Sequence, residues 1–127
     1  MNKIFVIILL CVLAFSKPIE WSFEQEFSLQ KDELMLAKVS ILDSTKELAM
    51  RWTLFKKEGI VVLLKYDGFN HQFILYPDYQ RNQFVLKLED FGSLKDSKLV
   101  LVFKYFEDKK AHFWIGIQGD ASFLMEQ

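Results

Sequence analysis

Ser44-Thr45-Lys46-Glu47-Leu48-Ala49-Met50-Arg51-Trp52-Thr53-Leu54-Phe55-Lys56 admits two conformations, and the choice between them decides the fold. Read as a helix near 45–57, the stretch opens on a capping box. Ser44 would accept a bond from the backbone three residues on, and Glu47 would reach back. Leu48, Trp52 and Phe55 would then share a face, with Lys56, Lys57 and Gly59 as the stop. Read as a strand, the same residues alternate, with Leu48, Met50, Trp52 and Leu54 on one side and polar or small residues on the other. Lys56-Lys57-Glu58-Gly59 becomes a hairpin loop. A helix would make the protein α+β, and a strand would make it all-β. The flanking segments favour the strand, because each of them also carries strand signals.

Downstream, Ile60 to Tyr66 is rich in β-branched residues and ends at Asp67-Gly68, a hairpin signal, since Gly accepts the positive φ such turns demand. Short strands are expected over 71–76, 83–88, 98–106, 111–118 and 121–125. Turns fall at Pro77-Asp78, at 107–110 and at Gly119-Asp120, and the longest loop covers 89–97. Upstream, 34–42 is an apolar run, and Lys31-Asp32-Glu33 is a turn. Residues 19–29 alternate, with Ile19, Trp21, Phe23, Phe27 and Leu29 on one face and Glu24 and Glu26 on a solvated stripe opposite. Eight to nine short strands with tight turns predict an antiparallel sandwich or a small barrel. Parallel pairing would need crossover connections of a dozen or more residues, which the chain lacks.

Two strands are apolar on both faces. Ile60, Val62 and Leu64 oppose Val61 and Leu63; Leu99, Leu101 and Phe103 oppose Val100, Val102 and Phe106. One core requires only one apolar face per strand, so the second needs a cover, either from the chain itself or from a partner. Lys65 and Lys104 interrupt these runs, as charges that blunt edge-to-edge pairing do. Trp21, Trp52 and Trp114 are expected as core anchors.

At the N-terminus Lys3 precedes twelve apolar residues, Ile4 to Phe15, and Ala14-Phe15-Ser16 offers small residues for cleavage. This is the pattern of a signal peptide over 1–16, too short to span a bilayer. Cleavage after Ser16, or alternatively after Ala14, would leave a single β-rich domain over 17–127. Leu10 before Cys11 is too large for a lipoprotein processing site. Cys11 would leave with the leader, so the mature chain would hold no cysteine and no disulfide, which fits a bacterial periplasm better than a eukaryotic extracellular space. Removing Lys3 takes the 16 basic residues to 15 against 17 acidic ones, a net of −2. Arginine is scarce, with only Arg51 and Arg81, and this argues against nucleic-acid or phosphate recognition. No transmembrane segment is expected in the mature chain.

Catalytic motifs are sparse. No nucleophile elbow and no phosphate loop occurs, and Asp90-Phe91-Gly92 spells a kinase string without the rest of a kinase. His71 and His112, on different strands, carry no metal-ligand spacing, and no metal or cofactor is expected. Tyr66, Phe69, His71, Phe73, Tyr76, Tyr79 and Arg81 crowd one segment with Asn70, Gln72 and Phe84. Aromatic faces beside amides and a cation suit a sugar, a peptide or a small apolar ligand. The expectation is an exported, non-enzymatic β-domain that binds a protein partner, a second copy of itself or a ligand. The alternatives are a β-barrel carrier holding an apolar molecule inside and a small hydrolase using His71 or His112.

Overall fold

The computed structural model describes residues 20–89 and 97–126. The proposed leader, Ile19 and the Asp90-Phe91-Gly92 string lie outside these residues. The described chain is all-β, with nine strands in two antiparallel sheets. They are β1 (Phe23–Gln30), β2 (Met35–Ile41), β3 (Ser44–Lys56), β4 (Gly59–Tyr66), β5 (Phe69–Leu75), β6 (Gln83–Lys87), β7 (Lys98–Glu107), β8 (Lys110–Gln118) and β9 (Ser122–Glu126). One sheet runs β1-β8-β7-β6 and the other β5-β4-β3-β2-β9. The sheets end at β6 and β5 on one side and at β1 and β9 on the other, so the fold is a sandwich, not a closed barrel.

The deciding stretch is the thirteen-residue strand β3, and the helix near 45–57 is excluded. Ser44 does not cap. Its hydroxyl donates to the Ile41 carbonyl at 3.0 Å across the hairpin. Leu48, Met50 and Trp52 are buried on the inner face, opposite Tyr66, Leu64 and Val62 of β4. A register shift between Trp52 and Leu54 then brings Phe55 inward and leaves Leu54 outside.

Several hairpin turns have positive φ at both central residues: Lys57-Glu58, Asp67-Gly68 and Asp108-Lys109. This is the type I′ pattern, whose twist matches that of the strands it joins. Gly59 follows the first of these turns as a buried strand residue outside the left-handed region. A Cβ there would stand 2.9 Å from Tyr76 Cε1, so close packing is what requires glycine.

The inner faces of both sheets merge into one buried cluster. Leu99, Leu101, Phe103, Phe113, Ile115 and Ile117 meet Val39, Leu48, Met50, Ile60, Val62 and Leu64. Two side chains tie the sheets by hydrogen bonds: Trp52 Nε1 donates to the Leu29 carbonyl at 2.8 Å, and Tyr66 Oη to that of Leu88 at 2.7 Å. Aromatic pairs span both open edges. Phe73 of β5 stacks on Phe84 of β6, centroids 3.9 Å apart, and Phe23 of β1 meets Phe123 of β9 at 5.0 Å.

Three expectations need correction. Phe106 does not share a face with Val100 and Val102, because a register shift between Phe103 and Tyr105 turns it inward to stack on Phe55 at 4.2 Å. Among the tryptophans only Trp52 is buried. Trp21 lies before β1, past a bend at Ser22, and packs edge-on against Trp114 on the outer face of the four-stranded sheet. Lys65 and Lys104 lie on β4 and β7, which are interior strands and not edges. Among the described residues no helix is long and apolar enough to cross a membrane.

Candidate functional site

The aromatic segment divides among separate places. Tyr66 and Phe73 serve the core. Tyr76 and Arg81 belong to the 76–82 connection between the sheets: the guanidinium lies 4.3 Å from the Tyr76 ring centroid and pairs with Asp78 at 2.9 Å. Phe69 and Tyr79 are both exposed, but Phe69 begins β5 and Tyr79 lies beyond its end. Seven extended residues cover about 23 Å, so these two rings cannot grip one small ligand. Tyr66, Phe69 and His71 do converge. With Leu86 and Leu88 they line a crevice of about 600 Å³ where β5 and β6 part, rimmed by Lys46, Asp67, Lys87 and Glu89.

The two histidines lie on different sheets. His71 is half-buried with its ring 5.8 Å from Phe84, while His112 stacks on Tyr105 at 4.3 Å on the outer face of the four-stranded sheet. His112 shares a shallow hollow of about 220 Å³ with Glu26, Ser28, Lys104 and Tyr105, and Ser28 is its direct cross-strand neighbour. Neither ring makes a hydrogen bond or ion pair among the described residues. No cluster of three or more His, Cys, Asp or Glu side chains suited to a metal occurs among the described residues.

The outer faces of the sheets differ, and the surplus apolar residues explain how. On the four-stranded sheet the chain covers part of the outer face itself, while Val85 and Tyr105 stay exposed there. Trp114 and Trp21 lie over Gly116, where a Cβ would run into Trp114 Cη2 and stand 2.7 Å from Trp21 Cε3. Val100, paired with Gly116, is thereby only 8 % exposed. Among the described residues the five-stranded sheet has no comparable lid. Its outer face carries Leu36, Leu54, Ile74 and Leu124, all exposed, with Val61 and Leu63 half-exposed between them and Leu34 at the margin.

The low point of that face is Ala49 of β3. Its short side chain lies beside Leu36 of β2 and Lys65 of β4, and Arg51 is opposite Leu63. Gln72 and Asn70 of β5 continue the rows from Leu63 and Lys65. The result is a hollow of about 600 Å³ lined by Leu34, Ala49, Arg51, Leu63, Lys65, Asn70 and Gln72, reached also by Met50, Leu64 and His71. A second hollow of about 420 Å³ adjoins it across Ala49 and Lys65, with Leu36, Glu47 and Glu126 in its walls. Among the described residues the first contains two cations and two amides but no carboxylate. Lys38 pairs with Glu126 and Lys46 with Asp67, whereas Arg51 and Lys65 have no ion-pair partner among the described residues.

The double-sided apolar pattern of 60–66 signals half of this site in the sequence, through Leu63. Ala49 and Leu34 carry no such signal, since a hollow arises from what surrounds a small residue. Compared with protein-family models, with curated proteins and with solved structures, the chain shows no match.

Proposed function

We propose that this chain is an exported, non-enzymatic binding domain of a bacterial periplasm, which holds its ligand on the outer face of the five-stranded sheet. One observation carries the reading: among the described residues, a hollow with an apolar floor and two cations without ion-pair partners lies on a face that those residues leave uncovered. Ligand sites combine apolar lining with a few polar groups in this way. The leader pattern over 1–16 and the absence of cysteine beyond Cys11 support export. A carrier holding its cargo inside is disfavoured, because the buried cluster occupies the space between the sheets. A second reading, hydrolysis at His112, draws on the Ser28 and Glu26 side chains that share its hollow. It predicts ester hydrolysis that Ser28→Ala abolishes.

Native mass spectrometry of the full chain, expressed in a Gram-negative host and recovered from the periplasm, tests the first reading. The expected species begins at Lys17 and retains a non-covalent ligand or partner that Ala49→Trp, which fills the hollow, releases. A chain still carrying residues 1–16 would remove the export half. A bare monomer, or a ligand indifferent to Ala49→Trp, would remove the binding half.

A further inference from the structure

We infer that the ligand of this face is a free single-chain amphiphile, an anionic headgroup on an apolar tail, such as a long-chain carboxylate. The inference rests on the reading of the outer face as the binding surface and adds its chemistry. Arg51 and Lys65 sit diagonally on adjacent strands, about 7–8 Å apart at their bases, a span one anionic headgroup can bridge. Asn70 and Gln72 on the next strand add amide donors on the same side. Ala49 floors the square that Arg51 and Lys65 form with Leu63, and the tail leaves it along the apolar side chains of Leu63 and Leu34. A volume of about 600 Å³ falls within the range of small-molecule sites, roughly 300–1,000 Å³.

Charge argues against a long acidic polypeptide on the same face. The positive potential is local to the hollow, since Glu47 and Glu126 line the adjoining one and Lys38 is already paired. An extended acidic chain would leave Arg51 and Lys65 only to meet these carboxylates. A compact headgroup with an uncharged tail meets the cations alone. Glu47 also flanks Lys65 diagonally, as Ala49 is opposite Lys65, so part of the field of that lysine is offset and Arg51 is the stronger anchor.

The test is isothermal titration of the mature protein with laurate below its micelle concentration, alongside dodecanol as the uncharged counterpart. Two variants accompany the wild type: Ala49→Trp, and Arg51→Glu with Lys65→Glu. Positions 51 and 65 are exposed, and circular dichroism confirms that each variant folds. The expected result is one laurate per chain, abolished by Ala49→Trp and weakened about tenfold or more by the charge reversal, with dodecanol indifferent to the reversal. Laurate binding unchanged by the charge reversal but lost in Ala49→Trp would overturn the anionic headgroup and leave the face as the binding surface. Laurate and dodecanol both failing to bind would overturn the amphiphile alone, whereas laurate binding equally to Ala49→Trp would overturn the inference and, with a retained ligand indifferent to Ala49→Trp, the reading beneath it. Binding to phosphatidylglycerol vesicles without uptake of laurate would overturn the free amphiphile in favour of a lipid surface.

Discussion

Leu42 forms the β2–β3 turn with φ of 53° and its side chain 73 % exposed. A left-handed conformation costs a side-chain-bearing residue roughly 1–2 kcal/mol, and a leucine this exposed buries little surface to offset it. Glycine removes that strain but adds freedom to the unfolded chain, roughly 0.5–1 kcal/mol. Leu42→Gly is therefore expected to raise stability by about 0.5–1 kcal/mol, read as a higher urea midpoint at constant slope. Gly116 shows the opposite case. It lies outside the left-handed region, yet Trp114 and Trp21 occupy the space a Cβ would need. Gly116→Ala is expected to cost about 1–3 kcal/mol, as overpacking does, and to alter the near-ultraviolet tryptophan signal. An unchanged signal at unchanged stability would mean that the two rings do not depend on the glycine. Neither role could be read from the sequence, where Leu42 ends an apolar run and Gly116 interrupts a strand.

At the scale of elements, alternation in the sequence located the strands well, because burying one face of a strand imposes a period of two. The same rule resolved 44–56: capping-box residues occur there, but the apolar set of a helix would have left Met50 outside, and Met50 is fully buried. Where the rule failed, a local irregularity reversed the parity. The bulges after Trp52 and Phe103 each move the following aromatic to the other side, the bend at Ser22 does the same to the preceding Trp21, and no residue type at those points announces them. Aromatic pairs across open edges are likewise invisible to periodicity, since they join strands of different sheets. Phe73 and Phe84 lie parallel within 8° where no ladder joins β5 to β6. Removing Phe84 should cost about 2–3 kcal/mol, somewhat less than a fully buried phenylalanine. A double-mutant cycle of Phe73→Leu and Phe84→Leu should give a coupling of about 1 kcal/mol. Independent effects would show that the crevice edge is held by the backbone connection instead.

For the whole molecule, the candidate site became legible only when the sheets were assembled, because its lining comes from β3, β4, β5 and the residue before β2. Topology also sets how the sandwich forms. β2 to β5 is a meander of hairpins, and β6 to β8 is another, so most pairings close over short loops. The terminal strands behave differently. β1 pairs with β8, and β9 returns to β2, crossing between sheets at the same side. The Ser22 hydroxyl reaches the Ile117 carbonyl across 95 positions of sequence. Closing such a loop costs entropy before any contact repays it, so folding in milliseconds to seconds is expected. If the meanders form first, contacts of β1 are absent from the transition state. Phe23→Ala, which removes the contact with Phe123, should then speed unfolding and leave the folding rate nearly unchanged. Stopped-flow chevrons read both arms. A folding arm slowed in proportion to the lost stability would instead place the closure of β1 and β9 within the nucleus, with the meanders condensing around joined termini.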